Sequence, residues 1–170
     1  MSAIITPKPR ALSGSKTRIS IVAAKFNPEF TDALVENALQ EIQLYTNAPR
    51  VDLIRVPGAF EIPVVVKTLL EEEKPDCVIA LGCIIRGGTS HADLVATSVT
   101  NSLQQLALDY ATPIIHEVLL VEDEKQAYAR CIGATLNRGK EAARSALDVI
   151  EVMSEVRRAN QSMRLHPSNG

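Results

Sequence analysis

The chain has no tryptophan, only 4% aromatic residues and just three cysteines in 170 residues. No Lys/Arg cluster interleaves with aromatics and the formal net charge is −2, so electrostatics offer no case for nucleic acid. Cys77, Cys83 and Cys131 form no C-x-x-C pair. Two of them lie in one apolar run, which reads as buried reduced thiols rather than a disulfide or a metal site. No apolar stretch reaches the ~18 residues of a membrane span. The opening MSAIITPKPRALSGSKTR lacks the apolar core of a signal peptide, and a cytosolic setting is the default expectation. The G-x-x-x-x-G-K-[ST] loop of nucleotide triphosphatases and the dinucleotide-binding fingerprint are missing too.

What is present fits one soluble globular domain: 46% hydrophobic and 22% charged residues in a length that buries a substantial core. Residues 1–17 are rich in Pro, Ser, Gly and Lys and read as an arm outside a domain spanning 18–160. Strand-like runs at Arg18–Ala24, 51–56, Cys77–Ile85 and Ile114–Val121 alternate with helical segments at 30–45, Ile62–Glu72, from 90 or 91 to about 109, 122–130 and 137–160. Residues 161–170 read as a loose polar tail. Four such alternations predict an α/β fold, a four-stranded parallel sheet with helices on both faces. Ligands in such sheets bind outside the carboxyl ends of strands, so the loops at 25–28, 57–61 and 86–91 and the stretch after Leu119 are the places to search.

The most informative stretch is LGCIIRGGTSHADLV, residues 81–95. A buried strand passes through Gly87-Gly88-Thr89-Ser90 into a helix beginning near His91. Turn amides and the helix dipole together favour an anion, and His91 at the edge can move protons near neutral pH. The plainer alternative is a flexible turn with Ser90 capping the helix. VPGAFEIP at 56–63 is a second element: Glu61 is either a dipole-matching cap or part of a turn that meets a planar polar heterocycle. Phe26 lies in Lys-Phe-Asn-Pro, a polar loop unlike core, and suits stacking on a flat ring. By default Arg130 is a solvated helix residue and His116 a hydrogen-bonded strand histidine.

The ordered set of Phe26-Asn27, VPGAFEIP, ALGCIIRGGTSH at 80–91 and Gln126-Ala127-Tyr128-Ala129-Arg130 resembles the 6,7-dimethyl-8-ribityllumazine synthase family over about residues 17–155. The resemblance implies a flavodoxin-like three-layer αβα sandwich and a transferase of riboflavin biosynthesis. It would condense 5-amino-6-(D-ribitylamino)uracil with 3,4-dihydroxy-2-butanone 4-phosphate by imine formation, phosphate elimination and ring closure. Phe26 would stack on the pyrimidine. Ala59, Phe60 and Glu61 would hold the ribityl chain, and Cys83, Ile84 and Ile85 the ring edge. Gly88, Thr89 and Arg130 would take the phosphate, and His91 would transfer protons. No metal or redox cofactor is implied.

The same resemblance implies a site shared between neighbouring subunits of a homopentamer, with Phe26 and Arg130 on opposite sides of the junction. The uninterrupted segment 130–139 favours a 60-subunit shell, in which the arm could add a strand to a neighbour's sheet, although Pro7 and Pro9 oppose strand pairing. Departures from the family pattern gather around one wall. His116 stands where Phe is usual and would line the pyrimidine site. Glu117 stands for Gly, Ala92 for an aromatic, Leu120 for Thr and Arg138 for Lys. They motivate an alternative, a catalytically weak paralogue that carries a flavin or lumazine; a generic phosphate-binding domain of the same fold is a third reading.

Overall fold

The computed structural model describes residues 17–47 and 49–165, so the arm lies outside it save for Thr17, as do residues 166–170 of the tail. In chain order the elements are β1 (Arg18–Ala24), α1 (Pro28–Tyr45), β2 (Arg50–Val56), a 3-10 turn (Ala59–Glu61), α2 (Ile62–Glu72), β3 (Cys77–Ile85), α3 (His91–Tyr110), β4 (Ile114–Val121), α4 (Glu124–Cys131) and α5 (Arg138–Leu165). All strand pairs are parallel and the sheet order is β2-β1-β3-β4. The α/β sandwich expected from the alternation is present. No described helix is long and apolar enough to cross a membrane.

Burial explains the strand sequences. β1 and β3 occupy the centre and are buried on both faces, which requires the near-continuous apolar runs RISIVAA and CVIALGCII. β2 and β4 form the edges and carry charge, as in RVDLIRV and IIHEVLLV. Alternation along β1 and β3 sends side chains into two separate cores. On one face Ile19, Ile21, Ile79 and Leu81 meet Leu34 and Ile42 of α1, Ala127 of α4, and Ala143 and Leu147 of α5. On the other, Val22, Val78 and Ala80 meet Ile62 and Val66 of α2 and Val99 and Leu103 of α3.

The first core is tied by polar contacts as well. Arg144 of α5 donates from Nε to the buried Glu41 of α1 at 2.5 Å. A Cβ on Gly139 would lie 2.5 Å from the Leu34 carbonyl, so only glycine lets α5 begin this close to α1. Asn137 caps α5 by accepting from Lys140 N at 3.1 Å, while its Nδ2 donates to the Cys131 and Gly133 carbonyls. One boundary is corrected: α5 continues through Leu165, beyond the expected end at 160. The segment NQSMRL holds no helix breaker, and the first proline comes only at Pro167.

Candidate active site

The connections from β1 and β3 leave toward opposite edges of the sheet, which opens a crevice outside their carboxyl ends. Lys25 N donates to the carbonyls of Val56 (2.8 Å) and Pro57 (3.2 Å), fastening the loop after β1 to the end of β2. Asn27 adopts φ 51° and ψ 58°, a left-handed conformation that asparagine tolerates better than most residues. Its Nδ2 donates to the Cys83 carbonyl at 2.8 Å, linking this loop to β3. Thr31 donates its hydroxyl to the Phe26 and Asn27 carbonyls, bracing the turn from below.

The result is an outward-facing Phe26, 70% exposed, and the neighbouring Phe60 is 60% exposed. Phe30, at 7%, is the one phenylalanine that joins the core. The Phe26 ring lies over Gly58, where an added Cβ would stand 3.1 Å from Cδ2. Glu61 accepts from Gly58 N at 2.8 Å, so its carboxylate fixes this turn, as the capping reading held.

These residues enclose a cavity of about 860 Å³, within the range of small-molecule sites. Its walls bring together Phe26, Ala59, Phe60 and Glu61 with Cys83, Ile84, Ile85, Thr89 and His91. Asn27, Gly58 and Gly87, from the loops that the sequence marked for search, also line it with Ala92, while sequence reasoning gave no site role to Ala24 or to the α3 residues Leu94, Val95 and Ser98. The α3 group was detectable: His91, Leu94, Val95 and Ser98 recur at helical spacing on one face after the glycine turn.

The turn itself is held from its ends. Arg86 N donates to the Val121 carbonyl at 2.9 Å, and the Arg86 guanidinium bridges Asp93 at 2.5 Å and Glu122. Both carboxylates favour its charged form, Asp93 the more strongly. Gly87 and Gly88 have no positive φ, and a Cβ on either would meet nothing within 4 Å. Their smallness therefore serves neither the backbone nor packing within the chain. Among the described residues, the amides of Gly87, Gly88 and Thr89 donate to no partner. Ser90 does not cap α3 with its side chain; the Thr89 hydroxyl instead accepts from His91 N at 3.4 Å.

Three expected site residues stay out of this cavity. Gly87 lines it rather than Gly88. His116, in register with Ala80 well before the end of β3, shares a 2.9 Å hydrogen bond between Nε2 and the Thr100 hydroxyl of α3. Arg130 is half-buried in the last turn of α4. Beside them, burial pushes the Glu117 carboxyl up to about 7, with Arg138 pulling it down and Glu141 pushing it up.

Fold and crevice together define a parallel α/β protein with a cavity of small-molecule size at its switch point, where open amides and a histidine stand beside apolar rings. The 6,7-dimethyl-8-ribityllumazine synthase family model matches residues 16–154, and the chain belongs to that family. A 6,7-dimethyl-8-ribityllumazine synthase of Thermococcus kodakarensis is 40% identical over 144 residues, 85% of this chain and 91% of that protein. One of Methylibium petroleiphilum is 40% identical over 146 residues, 85% and 89% of the two chains. One of Pediococcus pentosaceus is 36% identical over 147 residues, covering 86% and 94%.

Proposed function

We propose that the chain catalyses the condensation of 5-amino-6-(D-ribitylamino)uracil with 3,4-dihydroxy-2-butanone 4-phosphate to 6,7-dimethyl-8-ribityllumazine, releasing phosphate. The observation that carries this is one cavity uniting the exposed Phe26, the Phe60-Glu61 turn, the end of β3, Thr89 and His91. Phe26 stacks on the pyrimidine, and the Ala59–Glu61 turn meets the ribityl chain. Backbone groups of Cys83, Ile84 and Ile85 hold the ring edge. The 5-amino nitrogen attacks the ketone and water leaves to form an imine. Phosphate then departs, and the ribityl-bearing nitrogen closes the second ring with loss of another water. His91 moves protons through these steps, a task imidazole performs well near neutral pH. The amides of Gly88 and Thr89 at the start of α3, with Arg130, receive the phosphate.

The protein works as a homopentamer with each site completed by a neighbour. Support comes from the two sets of residues: Arg130 and His116 do not line their own chain's cavity, while Phe26 and Phe60 stand exposed at its rim. Closed rings satisfy every such head-to-tail interface, and twelve pentamers in a 60-subunit shell are the favoured larger form. The carrier alternative draws no support from the relatives, which bear the enzyme's name. Incubation with both substrates, followed by lumazine absorbance, tests the activity. Absence of product from folded protein at saturating substrates refutes it. Native mass measurement tests the assembly: a particle of five chains refutes the shell, and a fully active monomer refutes the shared site.

A further inference from the structure

Nothing inside the glycine turn fixes its shape. A Cβ on Gly87 or Gly88 would meet no atom within 4 Å, and the amides of Gly87, Gly88 and Thr89 donate to no partner among the described residues. The bonds at its far end are local to the start of α3: His91 N donates to the Thr89 hydroxyl at 3.4 Å, and Leu94 N to the Ser90 carbonyl at 3.1 Å. One contact spans the turn. Arg86, at its entrance, donates from Nε (3.2 Å) and Nη2 (2.5 Å) to Oδ1 of Asp93 in the first turn of α3. The two residues are seven positions apart, so their bond closes 87–92 into a ring. Its Nη1 donates to Glu122, just after β4, and Arg86 N donates to the Val121 carbonyl at 2.9 Å, so the guanidinium is also held from outside the turn. Among the described residues no other hydrogen bond or ion pair joins the two flanks of the turn.

We infer that Arg86 is a positioning residue for the phosphate-bearing substrate: it clamps the glycine turn through Asp93, so that the turn amides stand ready for the phosphate, and does not itself touch it. The inference rests on the phosphate role given to the turn under the proposed function. Both side chains are more than one-third exposed, 38% for Arg86 and 45% for Asp93, so the pair adds little to global stability. Its effect is local. Ordering a loose segment on binding costs affinity, about 2–12-fold for each group immobilised, and a turn already closed by its flanks avoids that loss. A role through charge alone makes the opposite demand. If Arg86 acted merely as a cation that attracts the anion, the Asp93 carboxylate would oppose it, and removing Asp93 would improve phosphate binding.

Calorimetric titration of the full chain and its variants with inorganic phosphate, and separately with 5-amino-6-(D-ribitylamino)uracil, separates the two. Asp93→Ala should bind phosphate about 3–10-fold more weakly, although it sheds a negative charge, and should bind the pyrimidine as the parent does. Arg86→Ala should lose more, because it leaves the Asp93 charge bare beside the turn. The double variant should bind phosphate like Asp93→Ala alone. Phosphate binding by Asp93→Ala that is unchanged or stronger, equal weakening of both ligands, or a further loss in the double variant would overturn the clamp. Asp93→Asn, which keeps an acceptor and loses the charge, gives the same test of sign if the alanine variant does not fold. Parent protein that binds the pyrimidine but no phosphate would overturn the phosphate role of the turn, and the clamp with it. Parent protein that binds both, with Asp93→Ala unimpaired, overturns the clamp alone.

Discussion

At the carboxyl ends of β1, β2 and β3, two phenylalanines stand exposed and three turn amides have no partner in the described chain. Along β4, by contrast, His116 is bonded to Thr100, and Glu117 is half-buried near Arg138 and Glu141. Exposed rings and open amides cost the isolated chain little as long as water covers them, and they gain most when a ligand replaces that water. His116 on β4 is already bonded within its own chain, and Glu117 beside it is half-buried, so in the proposed reading a second surface meets them. On that reading the crevice receives a ligand and the β4 edge is packed against a neighbour.

Removing the proton-transfer group should affect the crevice most. His91→Ala is expected to lower turnover by about 10²–10⁴-fold while leaving the circular dichroism spectrum unchanged, because the first position of α3 accepts Ala. A rate within about threefold of the parent, roughly 0.7 kcal/mol of barrier, would remove His91 from the chemistry.

On the β4 side, the largest effect should be on stability. Glu117 rises from an ordinary 4.5 to about 7 on folding, chiefly by burial. Between those values the folded chain holds a proton that the unfolded chain has lost, so stability falls as pH rises through that window. The loss is on the order of 3 kcal/mol and is complete above the folded value. Glu117→Gln should flatten this dependence and be the more stable form at pH 8, as read by urea unfolding at fixed chain concentration. Equal slopes in both proteins between pH 5 and 7 would show that Glu117 ionises normally.

Arg130→Ala tests whether the two regions meet across a junction. Loss of a charge-assisted phosphate contact should weaken the butanone phosphate by about 10–100-fold and the pyrimidine hardly at all. Equal weakening of both by calorimetry would break the assignment. Phe26→Ala carries the smallest effect and sharpens the comparison. A ring 70% exposed adds little to the fold, so unfolding should shift by no more than about 0.5 kcal/mol. Pyrimidine affinity should fall by about 3–10-fold, the worth of one stacking contact. A large stability loss would make Phe26 a packing residue instead.

All four strands were legible because each is an apolar run stopped by Pro, Gly or a charged turn, with β2 gaining only Arg50. Helix ends were less so. Asn27 turns left-handed so that Pro28 can open α1, and the Thr89 hydroxyl accepts from His91 N where the plainer alternative had Ser90 capping the helix. Residues of the crevice were readable where they sit next to each other in local motifs. Arg130 and His116 carry family-like positions, yet no local pattern says which cavity they serve.

Periodicity and punctuation act over a few residues, and they were enough to determine the alternation of strands and helices, the parallel sheet and the loops that bear the site. The order β2-β1-β3-β4 decided which of those loops converge, because the crevice lies wherever the strand order reverses. Packing also decided the raised Glu117 carboxyl, which depends on burial and on the charges of Arg138 and Glu141 from a different element. Desolvation and close contact depend on everything that surrounds a group, and only the folded chain assembles those surroundings.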